Sequence, residues 1–364
     1  MFRQPNLSIW HSQQPDYPKV DSVIIFRIGS IGDTVVALPC FHQIARRFRN
    51  SRRILVTDIP GTQKAAPAES VLENSGLIDD VIYFPPPPRK LSDLIQLRER
   101  ILNTNCTTLI YVADRGLSST LRDICFFKCC GIKRVIGAPI KRDLRYPRVD
   151  ALTGLAEYES ERLARCLSSL GHIDLGNREF WDLRLKAEEI RTADRALSRL
   201  GGSQFFSINL GGKVTSKDWG DSNWTHLFRL LANKYARLGV IFIGSADEFE
   251  RSDELAMNWV GSSVNLCGRL SPRESAAAMR NSVCFVGHDS GPMHLAAAVG
   301  VPCVCVFGGF NRPRTWHPMG DAHKIIHNMA GVREIRPEDV YAAIAGCSRA
   351  GHQSGLTHVT PSLS

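Results

Sequence analysis

Residues 22–48 read SVIIFRIGSIGDTVVALPCFHQIARRF. An unbroken apolar run, then a loop with two glycines three apart, then an amphipathic stretch is the opening of a β/α unit. The rhythm continues outward. RRILVTD, DVIYF, TTLIYV and KRVIG read as further strands, and ESVLENSG, LSDLIQLRERILN and LSSTLRDICFFKCCG as helices between them. PPPP at 85–88 reads as a rigid extended connector. Residues 138–156 are irregular and basic, and 156–171 read as one more helix. WDLRLKAEEIRTADRALSRLGG then leads into a second set: strands FFSINLGG, VIFIG, VNLCG, CFVG and VPCVCVFGG alternate with helical runs. Ser271, Pro272 and Glu274 mark one helix start, and Asp289 or Ser290 with Pro292 another, closed by Gly300.

At 364 residues the chain is long enough for two domains. The expected division is a leader over 1–19, a first domain over 20–185, a second over 186–347 and a tail over 348–364. Two doubly wound α/β domains of similar size place a cleft between them, with ligands at the carboxyl ends of the strands.

Charge and cysteine content narrow the function classes. Residues 1–185 carry 26 Lys and Arg against 20 Asp and Glu, and the remainder 19 against 16, so a modest basic excess sits in the first half. ARRFRNSRR (45–53) and KRDLRYPR (141–148) could meet a polyanion or be solvated surface. No helix-turn-helix, RRM or zinc pattern accompanies them, which speaks against nucleic acid. The 11 cysteines form no paired metal-binding spacing and read as reduced, buried thiols of a cytoplasmic protein. The longest apolar stretch, 295–310, is broken by Gly300 and Pro302 and is too short to cross a bilayer.

Three strand-end loops carry the chemistry. GHDSGPMH (287–294) presents backbone N–H groups of Ser290, Gly291 and Met293 at a helix start, a site for phosphate, with Asp289 and His294 beside it. LGGKVTSKDW (210–219) sets Gly211 and Gly212 beside Lys213 and Lys217, cations suited to a diphosphate, though the spacing is not that of a P-loop. RIGSIGD (27–33) lacks the third glycine of a dinucleotide fingerprint, which disfavours a nicotinamide oxidoreductase. Asp33 there is either a helix cap or, if it faces the cleft, a base toward an incoming hydroxyl. His288 and His294 are poorly spaced to share a metal. No DxD pair occurs anywhere in the chain.

Taken together, RIGSIGDTVVALP, GGKVTSKDW and GHDSGPMHLAAAVGVPCVCVFGG resemble the family 9 glycosyltransferases, the lipopolysaccharide heptosyltransferases, over roughly residues 20–345. DRGLSSTLRDICFFKCCGIKRVIG (114–137) is similar to the family's first-domain segment. The resemblance implies a GT-B fold: two Rossmann-like domains facing across a cleft, the first binding acceptor and the second binding donor. It implies inverting, metal-independent transfer of heptose from ADP-L-glycero-D-manno-heptose to an anionic lipopolysaccharide-core acceptor. No cofactor is expected, and the protein would work at the cytoplasmic face of the inner membrane as a peripheral protein.

By the same resemblance Asp33 matches the catalytic base and Lys217 the lysine on the donor phosphates. Asp289 is the aspartate of the donor loop and Glu248, in GSADE, the acid on the adenosine ribose. Gly211, Gly212, Lys213, Ser290, Gly291, Met293 and His294 complete the donor side. Arg27, Ser30, Gly32, Asp114 and Arg115 are expected on the acceptor side. Asp33 is expected to be ionised at neutral pH, with partial burial on cleft closure supplying its basicity. A family member using another nucleotide sugar, a sugar-nucleotide epimerase and a non-catalytic polyanion-binding α/β protein are the competing readings.

Overall fold

A computed structural model describes residues 20–59, 66–84, 90–211 and 214–353. The expected leader, the proline run at 85–88, Gly212, Lys213 and the chain from 354 onward lie outside the described residues.

The first domain runs β1 (Ser22–Phe26), α1 (Ile31–Val36), α2 (Leu38–Arg47), β2 (Arg52–Asp58), α3 (Glu69–Leu72), β3 (Asp80–Phe84), α4 (Leu91–Leu102), β4 (Thr108–Tyr111), α5 (Leu117–Cys129) and β5 (Arg134–Ile136). Two helices, α6 (Arg142–Arg145) and α7 (Glu159–Cys166), close it. The second domain runs α8 (Ala187–Ala196), β6 (Phe205–Ile208), α9 (Asp221–Tyr235), β7 (Gly239–Phe242), α10 (Phe249–Ala256), β8 (Ser263–Asn265), α11 (Pro272–Met279), β9 (Cys284–His288), α12 (Gly291–Ala298), β10 (Cys303–Gly308), β11 (Lys324–Asn328) and α13 (Pro337–Gln353).

Five parallel strands in the order β3-β2-β1-β4-β5 form one sheet, and six in the order β11-β10-β9-β6-β7-β8 form the other. Ile24 is paired with Ile54 on one side and Leu109 on the other, and Ser207 with Ile241 and Phe285. These strands are covered on both faces, which is why they read as continuous apolar runs rather than alternating ones. Val23, Ile25 and Leu55 pack against α2, whereas Ile24, Phe26 and Ile54 pack against Leu97 and Ile101 of α4 and Phe127 of α5. In the second sheet Phe206, Ile208 and Phe242 meet Trp224, Leu227 and Phe228 of α9 and Val340 and Ile344 of α13. The other face of that sheet, through Ile241, Ile243 and Phe285, is continuous with the core of the first domain by way of α11 and α12.

The helical stretch expected after Asp33 is two helices. Pro39 occupies the second position of α2, where its missing N–H costs nothing, and the chain breaks at Ala37. The 156–171 stretch is a shorter helix, Glu159–Cys166, followed by a 3-10 turn at Ser168–Leu170. The last helix continues through Gln353, past the expected end of the domain at 347. The Ser271 start forms as read: its side chain accepts from Glu274 N, and the Glu274 carboxylate accepts from Ser271 N at 2.8 Å. The cysteines are unpaired thiols; Cys125 and Cys129 are exposed, against the expectation of burial, and the rest are buried. Among the described residues no helix is long and apolar enough to cross a membrane.

Both sheets reverse their strand order once, between β1 and β4 and between β6 and β9. In doubly wound folds that switch point is where ligands bind. The loops after β1, β6 and β9 are the three singled out in the sequence.

Candidate active site

The three loops converge on one cavity of about 510 Å³ between the sheets. Ser30, Gly32 and Asp33 line it from the first domain; Gly211, Lys217, Glu248, Asp289, Ser290, Gly291 and His294 line it from the second.

Asp33 is the third residue of α1, not its cap. Its Oδ2 accepts from Ser30 N at 2.8 Å and Ser30 Oγ at 2.9 Å, a capping box that pins the carboxylate at the helix start. Its Oδ1 accepts no bond among the described residues and is free for a ligand. Gly29, at φ +132°, lies against this side chain: a Cβ there would stand 2.7 Å from Asp33 Cβ. Burial pushes the Asp33 carboxyl upward and is the largest single influence, but the charge of Arg27 and the Ser30 donors outweigh it. The net shift is downward, so in this structure Asp33 is held ionised and weakly basic.

Arg27 is the residue that does much of this, and it lies buried outside the cavity lining. It is 1% exposed, donates to Val112 O at 2.7 Å, and donates a short bond to the backbone oxygen of Asp33. Asp114 and Arg115 also stay outside the cavity lining: Asp114 pairs with Arg162 at 3.3 Å and Arg115 with Asp123 at 3.1 Å. The Met293 side chain packs in the core, leaving only its backbone N–H for the site.

Across the cavity, Lys217 ends a single 3-10 turn, Thr215–Lys217, and donates to Asp289 Oδ2 at 2.6 Å. Asn311 Nδ2 donates to the same oxygen at 2.5 Å, and the Phe310 ring lies 4.5 Å from Lys217 Nζ. The turn is anchored by the residue that follows it but one. Trp219, fully buried, gives its backbone N–H to His288 Nε2 at 3.1 Å and its indole N–H to Ile335 O at 2.8 Å. Because His288 Nε2 accepts, its Nδ1 carries the proton and faces Gly211 O at 3.3 Å. Burial lowers the His288 pKa to about 4, so the ring is a neutral strut between β9 and the 211–219 loop.

Glu248 closes a capping box on Ser245 and faces Asn209 Nδ2 at 3.4 Å. A Cβ on Gly211 would fall 2.0 Å from its Oε1 and one on Gly244 1.9 Å from its Oε2, so a side chain at either position would displace this carboxylate. Ser290 is the N-cap of α12, but its Oγ is buried without a partner among the described residues. His294 is buried, and that burial lowers its pKa to about 4 despite Asp289 and Asp33 nearby. A Cβ on Gly32 would sit 2.9 Å from His294 Cδ2, and one on Gly291 3.0 Å from Ile31 Cβ. Two glycines thus let the first turns of α1 and α12, one from each domain, meet.

No group of three or more His, Cys, Asp or Glu side chains among the described residues is arranged to hold a metal ion. The site offers an ionised carboxylate, Asp33, on one wall and, on the other, the Lys217 cation, the N–H groups at the start of α12 and the Glu248 carboxylate. Sequence reading missed Phe310, Asn311 and Asn209. The signal was there, since each follows a strand, but Asn and Phe in such loops are unremarkable without their partners.

Residues 161–342, half of the chain, match the family described as glycosyltransferase family 9 (heptosyltransferase). Among curated relatives, lipooligosaccharide heptosyltransferase 2 of Haemophilus influenzae is 24% identical over 184 residues, covering 49% of this chain and 50% of that one. Lipopolysaccharide heptosyltransferase 3 of Escherichia coli is 28% identical over 165 residues, covering 41% and 48%. The chain spans about half the length of these relatives. A solved glycosyl transferase family 9 structure from Veillonella parvula superposes with a TM-score of 0.71 at 19% identity, over 90% of this chain and 98% of that one. The fold is GT-B.

Proposed function

The chain belongs to glycosyltransferase family 9, and on that footing we propose that it is an inverting, metal-independent glycosyltransferase. The proposed donor is ADP-L-glycero-D-manno-heptose, and the acceptor a hydroxyl of an anionic lipopolysaccharide-core glycan at the cytoplasmic face of a membrane. The observation that carries this is one cavity with Asp33 on one wall and Lys217, Asp289, Glu248 and the start of α12 on the other.

The acceptor oxygen attacks the anomeric carbon from the face opposite the nucleotide; the carbon–oxygen bond to the diphosphate breaks, and the hydroxyl proton passes to Asp33 Oδ1. A weak base suffices. As attack proceeds the acceptor oxygen becomes oxonium-like and far more acidic than an alcohol, so a fixed, ionised carboxylate takes its proton without an elevated pKa. Negative charge grows on the departing diphosphate. Lys217, the N–H groups of Ser290, Gly291 and Met293 and the α12 dipole stabilise it, with Asp289 and Asn311 keeping the lysine in place. Glu248 accepts from the ribose hydroxyls.

Two measurements test this. Calorimetry with ADP, UDP, GDP and ADP-heptose, with EDTA present, should give selective adenine-nucleotide binding that Lys217→Ala weakens; preference for another base would overturn the heptose donor while keeping the reaction. Asp33→Asn should retain donor binding and lose turnover by at least about a hundredfold. Near-normal turnover in that variant would remove Asp33 from the mechanism.

A further inference from the structure

The loop after β10 brings three side chains to the cavity, Phe310, Asn311 and Trp316. Phe310 is 60% exposed there, an aromatic face left open in a polar site. The second sheet sets out its strand-end groups in a fixed order along this wall. Glu248 follows β7, Lys217 follows β6, Asp289 and Ser290 follow β9, and Phe310 and Asn311 follow β10. A nucleotide sugar is built in the same order: ribose, diphosphate, sugar. With the ribose at Glu248 and the diphosphate at Lys217 and the start of α12, the sugar reaches the loop after β10. The Phe310 ring centre lies 4.5 Å from Lys217 Nζ, which places it beside the phosphate that carries the sugar.

This end of the cavity combines the open ring with polar atoms whose hydrogen bonds are unused. Asn311 commits its Nδ2 to Asp289 Oδ2 at 2.5 Å, and its Oδ1 accepts nothing among the described residues. Trp316 packs against the core, and its indole N–H donates to nothing among the described residues. The loop is also held from both domains. Thr315 O accepts from Glu159 N of α7 at 2.9 Å, the Arg314 guanidinium lies 4.8 Å over the Tyr158 ring, and the His317 and His327 rings share a hydrogen bond of 2.9 Å. Trp316, between these anchors, is set in place before any ligand arrives.

We propose that Phe310, Asn311 and Trp316 form the subsite for the transferred sugar and select which pyranose is accepted. A pyranose has C–H bonds on its ring faces and hydroxyls around its edge, so its complement is an aromatic face beside fixed donors and acceptors. The Phe310 ring covers one C–H face, removing apolar surface of both partners from water. Asn311 Oδ1 accepts from one hydroxyl, and the Trp316 N–H donates to another. A sugar that lacks either hydroxyl leaves the polar atom opposite it unpaired, and that penalty is what discriminates. This subsite rests on, and deepens, the reading of a nucleotide-sugar transferase; it concerns the sugar and not the base.

Calorimetry on the full chain compares each nucleoside diphosphate with the same nucleotide carrying a sugar: ADP with ADP-heptose, UDP with UDP-glucose, GDP with GDP-mannose. For the pair that binds, Phe310→Ala should weaken the sugar-bearing form by about fivefold and the bare diphosphate by less than about twofold. Phe310→Tyr keeps the ring and should bind both forms as wild type does. Trp316→Phe keeps the wall but not the donor, and should weaken only the sugar-bearing form, by about threefold or more. The Phe310 variants should keep the wild-type melting temperature, because the side chain is exposed. Equal weakening of both forms by Phe310→Ala would overturn the proposal, since the ring would then serve only Lys217 and the diphosphate; unchanged binding of both would overturn it as well. In either case the wild-type chain still binds its nucleotide, and the transferase reading stands. Absence of binding by every nucleotide to the wild-type chain would instead remove that reading, and the subsite with it.

Discussion

Replacing Arg273 by alanine should be among the most damaging single changes outside the cavity. Arg273 lies in α11 and is fully buried. Its guanidinium has five N–H groups, and the structure uses all five. Nε and Nη2 hold the Glu189 carboxylate of α8 at 2.6 and 3.1 Å; Nη1 donates to Val71 O and Leu183 O at 2.8 Å each; and Nη2 donates to Arg184 O at 3.0 Å. Val71 belongs to α3 of the first domain, so one side chain ties both domains and the link between them. Alanine leaves three carbonyls without these donors and a nearly buried carboxylate without its cation, the situation in which breaking a buried pair costs about 3–5 kcal/mol. At about 2.1 cal/mol/K of unfolding entropy per residue, a chain of this length loses roughly 5 °C of melting temperature for 4 kcal/mol. Urea unfolding followed by tryptophan fluorescence measures the free-energy change directly, with Glu189→Gln as companion: it keeps the shape but leaves the fully buried guanidinium without its counter-ion, and should cost a comparable amount. The effect should reach the site, because Pro272 and Ser275 on either side of Arg273 line the cavity, and nucleotide affinity should weaken alongside stability. Arg273→Ala within about 0.5 kcal/mol of wild type would refute the reasoning, since desolvation of the pair would then cancel everything it contributes.

Gly32→Ala tests the contact between the domains. Gly32 is not in the left-handed region, and alanine in a helix is favoured by up to about 1 kcal/mol, but its Cβ would press on His294 Cδ2 at 2.9 Å. The expected outcome is a small change in melting temperature with a fall in turnover of about tenfold or more, since α1 carries Asp33 and misplacement by a fraction of an ångström is felt in the reaction; unchanged turnover in a stable variant would show that the contact can relax. Stability should also fall in mild acid. His288 and His294 have folded pKa values of about 4, below the unfolded value of about 6.5. The unfolded state thus takes up protons first as pH drops, and stability present above about pH 6.5 is lost progressively down to pH 4, by on the order of 3 kcal/mol per ring. A melting temperature flat between pH 7 and 4.5 would contradict the burial of these rings.

How much of this was legible beforehand follows from which forces act locally. Strands such as SVIIF, TLIY and CVCVFG are buried on both faces, so their apolar character is continuous and survives reading one residue at a time. Capping residues are equally local, and Ser271 to Glu274 formed as its spacing dictated. β11 escaped because it is an edge strand with one partner and only half-buried side chains, a weak signal in five residues. Arg27 was misplaced for a different reason. An arginine beside a binding loop reads as ligand-facing, and only the fold reveals that Val112 O, 85 positions away, turns it inward. The direction of the Asp33 shift in this structure has the same cause: burial was foreseeable, whereas the compensating charge of a buried Arg27 was not.

The glycines carry the rest. Gly29 lies against Asp33, Gly32 against His294, and Gly211 and Gly244 each against Glu248, at separations a Cβ could not share. Three of those four stand in the loops first singled out. Their role is steric: each leaves the space that a carboxylate or imidazole fills after folding. A glycine near an acid in a strand-end loop is therefore evidence about where that acid points. Gly211 and Gly244, 33 residues apart and in the loops after β6 and β7, leave between them the space that the Glu248 carboxylate fills at the cavity wall.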